Sequence, residues 1–253
     1  MRSTCPNKTA PLRKRALAAG LLALLLAQAG CAPAPPPAEI EAVSMEAAQR
    51  GDEAAERRLA GWARDGVPVA QRELGLLYRL RAAQDPRKQD EARTLFLRAA
   101  RQGDAQAQFQ LGELERAPGG AGAQDAAGWY RRAAAQGHAK AALALALMLK
   151  NGDGVARDRN AAAHWLDVAA QAGNAHAMFL LSNAYADGDG VPADARHARD
   201  LLERAADHDY PAAIQQLALV KQTGDAYTPR DENEARQLIQ EGAEHRRANA
   251  RRF

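Results

Sequence analysis

Trp165-Leu166-Asp167-Val168-Ala169-Ala170-Gln171-Ala172-Gly173-Asn174-Ala175-His176-Ala177 is one of several near-copies in this 253-residue chain, and their spacing decides the fold. Its five marker positions stand earlier as Trp129, Ala133, Ala134, Gly137 and Ala141. They stand later as Leu201, Ala205, Ala206, Asp209 and Ala213. Leu95, Ala99, Ala100, Gly103 and Ala107 form an upstream copy, and Gly242 with Ala243 closes an incomplete downstream one. The Gly-or-Asp marker falls at 66, 103, 137, 173 and 209, in steps of 37, 34, 36 and 36 residues. Such a period belongs to arrays of small units, each of which covers its apolar face with a neighbour.

Each unit reads as two helices. The spacing predicts a helix over 138–150, aligning Ala141, Leu145 and Leu149, and a second over 158–172, aligning Ala162, Trp165 (or Leu166) and Ala169. Asn151-Gly152-Asp153-Gly154-Val155 separates them, since Gly and Asn tolerate the left-handed backbone that ends a helix. Asp158 and Asp194 stand where an N-cap carboxylate suits the next helix. Gly75, Gly112, Ala146 and Ser182 recur at one position and let helices approach closely. Trp129 and Trp165 share a column with Leu95 and Leu201 and are expected in the core. β-Branched residues are few and nothing alternates for long, so the fold class is all-α.

Three runs carry a family resemblance: Ala175–Tyr185, Asp187-Gly188-Asp189-Gly190-Val191-Pro192-Ala193-Asp194, and Asp200-Leu201-Leu202-Glu203-Arg204-Ala205-Ala206. With the copy over 139–170, they resemble the Sel1-like repeat family, a relative of the tetratricopeptide repeats. The resemblance spans residues 66 to 245 and departs from the pattern in three turns: 81–86, 117–122 and 223–229, the last one residue longer. It implies a right-handed α-solenoid of about five helix-turn-helix repeats, with the first helix of each pair lining a concave face. Residues 44–65 resemble a truncated leading pair, and 231–248 a capping helix. Relatives act as adaptors that assemble complexes, and some lipid-anchored ones serve in exopolysaccharide export. Others, linked to penicillin binding or hydrolysis, are held by a cysteine pair in each repeat, which this chain lacks.

Residues 1–30 read as a signal peptide, with Arg2, Lys8, Arg13, Lys14 and Arg15 ahead of an apolar run from Ala16 to Ala27. That run is too short for a membrane span, which takes roughly 20 apolar residues. Ala29-Gly30-Cys31 resembles a bacterial lipobox with Cys31 as the lipidated residue, although Ala27-Gln28-Ala29 also suits the ordinary signal peptidase. An Ala/Pro-rich tether over 31–43 would hold the repeat solenoid, 44–253, off a membrane surface. No Asp follows Cys31, which by analogy with lipoprotein sorting places the chain in the periplasm on the outer membrane. The overall +3 charge comes from the leader: removing its five Lys and Arg leaves 29 against 31 Asp and Glu, a net of −2. Nucleic acid is therefore not an expected partner.

Chemistry is hard to find along the chain. Beyond residue 31 the only serines are Ser44 and Ser182, and neither sits in a nucleophile motif. His138, His164, His176, His197, His208 and His245 form no metal-ligand spacing. Asp187-Gly188-Asp189-Gly190 opens like a calcium loop, but Val191 and Pro192 occupy the positions that need an oxygen ligand and a glycine. No cofactor or metal is expected. A hydrolase would have to run on lone carboxylates such as Glu113 or Asp153. Arg246, Arg247, Arg251 and Arg252 make the C-terminus basic, which suits the dipole of a last helix. Counting three, seven and ten residues past the marker gathers Gln106, Gln110, Glu113, Lys140, His176, Leu180, Asn183 and Gln216 into a candidate partner-binding groove. The expected function is a non-enzymatic scaffold for envelope proteins or peptides, with glycan as the alternative ligand.

Overall fold

Helix pairs form where the periodicity places them. The computed structural model describes residues 34–116, 122–225 and 228–250, with side chains as far as residue 243. Among these residues stand twelve α-helices and no strand. The first helices of the pairs are α1 (Pro37–Arg50), α3 (Pro68–Arg81), α5 (Ala105–Arg116), α7 (Ala139–Asn151), α9 (Ala175–Asp187) and α11 (Pro211–Thr223). The second helices are α2 (Glu53–Arg64), α4 (Arg87–Arg101), α6 (Ala123–Ala134), α8 (Arg159–Gln171), α10 (Ala195–Asp207) and α12 (Glu232–Ala250). Each packs mainly on its neighbours in the chain, with lighter contact between like helices of successive units. The result is an α-solenoid.

Local chemistry fixes the helix ends. Asp158 accepts from the Ala161 amide at 2.9 Å, and Asp194 from Arg196 and His197, as N-cap residues should. At the start of α5, α7 and α9 the same service comes from Asp104, His138 and Asn174, which occupy one repeat position. Units lacking such a side chain, with Val67 or Tyr210 there, have Pro68 or Pro211 at the first helical turn instead. α9 stops at Gly188, whose φ of 72° is the left-handed conformation that lets the last carbonyls be capped. Gly190 has a different reason. A β-carbon there would lie 2.2 Å from the carbonyl oxygen of Arg159, so the turn can lie against α8 only without a side chain.

The core is an alanine ladder filled by large residues, one of which recurs at a fixed position on each second helix. Ala99, Ala133, Ala169 and Ala205 are fully buried, as are Ala107, Ala141, Ala177 and Ala213. The filler is Phe96, Tyr130, Leu166 or Leu202, all at most 3% exposed. Size is exchanged within each unit. A β-carbon on Gly75 would stand 2.7 Å from the Phe96 ring, and one on Gly112 2.5 Å from the Tyr130 ring. Where the filler shrinks to Leu166 or Leu202, the residue at the glycine's repeat position grows to Ala146 or Ser182, both buried. The summed side-chain volume of the pair thus stays similar from unit to unit, as close packing requires.

Three expectations change. Trp129 and Trp165 are half-buried at the edge of the core, and Arg132 lies over the Trp129 ring at 4.5 Å. The adjacent residues, Tyr130 and Leu166, take the deep position because they point 100° further round the helix toward the facing glycine or alanine. The tether read over 31–43 gives way to helix at Pro37, where the fixed φ of proline is ready for a first turn. The leading pair is consequently not truncated. Ile40, Val43 and Ala47 of α1 are buried with Leu59, Ala63 and Leu74 in one cluster. The signal segment, Cys31, the turn over 117–121, and the side chains of His245 and the C-terminal arginines lie outside the described residues.

Candidate functional site

The first helices bury one face and present the other. Positions four, five, eight and eleven past the marker point inward, as Ala141, Ala142, Leu145 and Met148 show. Positions three, six and ten point away, since steps of 100° set them roughly opposite the core stripe. On this outer face stand Leu76 of α3, Phe109 of α5, Leu143 and Leu147 of α7, and Phe179 of α9, all half-buried. Leu219 of α11 is 58% exposed in the same line. An apolar stripe thus crosses the first helices, broken by Glu113 and Asn183.

A seam of unit-to-unit contacts locks this face. Arg72 of α3 pairs with Asp104 at 3.2 Å, with only 15% and 10% of the two side chains exposed. One unit on, Phe109 stacks on His138 with ring centroids 4.8 Å apart. Two units further, Phe179 and His176 both pack against Tyr210, at 5.3 and 5.2 Å. The geometry repeats while the chemistry changes from ionic to aromatic. Burial pushes the pKa of both His138 and His176 below the usual histidine value. His138 Nδ1 caps α7 by accepting from Ala141, so Nε2 carries the proton and donates to Gln106 Oε1 at 2.7 Å.

The residues gathered from the sequence divide into two sorts. Lys140 is exposed, and His176, Leu180, Asn183 and Gln216 are half-buried, the last two joined by an amide contact at 3.5 Å. Gln106 is half-buried and held by His138. Gln110 is buried, and its side-chain oxygen accepts from Arg79, so it joins α3 to α5 rather than facing solvent. Glu113 is exposed and accepts from the Tyr130 hydroxyl, whose pKa rises through burial and through this carboxylate. Position six escaped the sequence reading altogether. Phe109, Leu143 and Phe179 look like core residues in a single sequence, and the structure places them at the edge of the core, packed against it but partly open on the other side. No group of three or more His, Cys, Asp or Glu suited to a metal occurs among the described residues.

Two of the cavities among the described residues are sizeable. One of 350 Å³ lies between α3 and α4, lined by Leu74, Tyr78, Leu95 and Arg98 among others. The other, of 560 Å³, opens where α12 meets α10 and α11, with Ile214, Leu217 and Leu238 beneath Glu203, Glu234 and Glu241. Lys221 reaches into the second and pairs with Glu234 at 2.8 Å.

The model of the Sel1 repeat matches residues 68–104, 105–138, 139–174, 175–210 and 211–245. No curated protein matches the chain. Among solved structures, a Sel1 repeat protein from Oxalobacter formigenes is 28% identical with a TM-score of 0.70, over 83% of this chain and 88% of that one. A protective antigen of uropathogenic Escherichia coli strains, described as displaying an SLR fold, is 27% identical with a TM-score of 0.71. That alignment covers 83% of this chain and 46% of the antigen, so this chain spans less than half of the antigen's length. Sel1 repeat proteins are generally non-catalytic, and their repeats mark a scaffold for protein–protein interaction. Five matched repeats on an unbroken stack of helix pairs settle the assignment: the chain belongs to the Sel1 repeat family.

Proposed function

We propose that the protein is a lipid-anchored periplasmic scaffold that assembles envelope proteins along the outer face of its first helices. One observation carries the binding part: the exposed Leu219 falls in line with the partly buried Phe109, Leu143, Leu147 and Phe179 at the edge of the core. Apolar side chains aligned at a surface suit the docking of another molecule. The contacts between units hold the stripe in shape before any partner arrives, which lowers the ordering cost of binding. The location rests on the sequence alone. Basic residues, a short apolar run and Ala29-Gly30-Cys31 supply the address, and Cys31 the point of lipid attachment on the outer membrane.

The test is crosslinking of the tagged chain in intact cells, followed by detergent extraction and mass spectrometry. A short, reproducible set of envelope proteins supports the scaffold. Crosslinks to wall polysaccharide alone overturn it in favour of glycan binding. Labelling with a radioactive fatty acid, lost on Cys31→Ser, tests the anchor; labelling that survives the substitution refutes it.

A further inference from the structure

The outer face of the first helices changes electrostatic character along the array. On α3 and α5 it carries both signs, with Arg72 and Glu73 paired at 2.9 Å and Glu113 near the centre. On α7, α9 and α11 no carboxylate occurs except Asp187, the last residue of α9. The cations there are Lys140 at the start of α7, Lys150 near its end, and Lys221 on α11, which is held by Glu234. Lys150 is 3.9 Å from Asp189, while Lys140 has no ion-pair partner among the described residues. Ten residues separate the two lysines of α7, or about 15 Å along its axis. Leu143 and Leu147 lie between them on α7, Phe179 stands on α9 one unit on, and Leu219 on α11 two units on.

We infer that this half of the face docks an amphipathic helix of a partner protein, its leucine-type anchors on the stripe and a carboxylate against Lys140. The inference rests on the scaffold reading and names the partner's chemistry. Charge complementarity selects the occupant. A basic segment would meet like charge at Lys140, whereas an acidic one finds there an exposed cation with no ion-pair partner among the described residues. A neutral glycan would leave the leucines without apolar cover.

Two labelled helical peptides serve as probes, identical in their leucine spacing but carrying glutamates in one and lysines in the other. They are titrated against the full chain by fluorescence anisotropy. The glutamate peptide should bind about two- to fivefold more tightly, and Lys140→Glu should reverse that order, one exposed charge pair being the difference. Leu147→Asp with Leu219→Asp should abolish binding of both peptides, while circular dichroism shows the helix content unchanged. Preference for the lysine peptide, or a glutamate preference that Lys140→Glu leaves intact, overturns the inference. So does equal binding of both peptides. If Leu147→Asp and Leu219→Asp leave native partners fully captured in cells, the scaffold stands and the assignment of its face falls. If no partner is captured by either form, the scaffold reading itself fails.

Discussion

Replacing Gly112 by alanine should destabilise the array, and shrinking Tyr130 at the same time should restore most of the loss. The new β-carbon would lie 2.5, 2.6 and 2.9 Å from three atoms of the Tyr130 ring, well inside contact distance. Tyr130 is fully buried and its hydroxyl is held by Glu113, so the ring has little freedom to retreat. Overpacking of this kind costs about 1–3 kcal/mol, and the tight fit argues for the upper end. Alanine recovers about 1 kcal/mol of helix propensity over glycine, leaving a net loss of about 2 kcal/mol. Tyr130→Leu alone should cost a similar ~2 kcal/mol or more through the space it vacates. The double variant recreates the pairing of Ala146 with Leu166 found two helices on, and should lose only about 1 kcal/mol. The coupling is then about 3 kcal/mol in favour of the double variant, at the top of the range for residues in contact. Urea unfolding of the four proteins, followed by circular dichroism, measures it. Independent, additive effects of the two changes would refute the argument that ring and glycine are matched in volume.

Other outcomes follow from the same geometry. Leu166→Ala should cost about 2–5 kcal/mol and Trp165→Ala clearly less, since the tryptophan only edges the core; the reverse order in denaturant titrations would restore the tryptophan to the interior. Gly190→Ala should destabilise more than Gly188→Ala. Both glycines have left-handed φ, but only at Gly190 does the new carbon strike a backbone oxygen, and equal losses would dismiss that contact. His138 has a lowered pKa when folded, caused first by burial and then by Lys140, with Asp104 opposing. The folded protein therefore resists protonation at this ring. The stability His138 contributes is complete above the unfolded value, about 6.5, and is lost as pH falls through the lower folded value. His138→Asn, which copies Asn174, should keep the cap and flatten that part of the pH profile of melting. A profile unchanged by the substitution would show that His138 does not titrate in this window.

How far the sequence reveals this molecule depends on where each signal originates. The helix pairs, their caps at Asp158 and Asp194 and the stop at Gly152 are legible because their causes lie within a few residues. Depth is not legible. Trp165 and Leu166 are adjacent and both apolar, so a recurring column names the helix face without saying which residue reaches the centre. The facing small residue decides it: Gly112 against Tyr130 and Gly75 against Phe96 come from a neighbouring helix, and their distances belong to the fold. The groove residues suffered in the same way. Gln110 looks like a solvent-facing amide until Arg79, 31 residues earlier, claims it. Phe109 and Phe179 look like core and do edge it, but each also joins its unit to the next, through His138 and Tyr210. At the N-terminus Pro35-Pro36-Pro37 suggested an extended tether throughout, whereas its last proline starts a helix that buries Ile40 completely.

The most direct test of the scaffold is site-specific photocrosslinking in living cells, with the reactive residue placed at Leu147 or Leu219 on the first helices and at Gln124 or Arg101 on the second. The account predicts adducts with the same few proteins from Leu147 and Leu219, and none from the other two positions. Adducts of equal yield from all four positions, or only with polysaccharide, would contradict it.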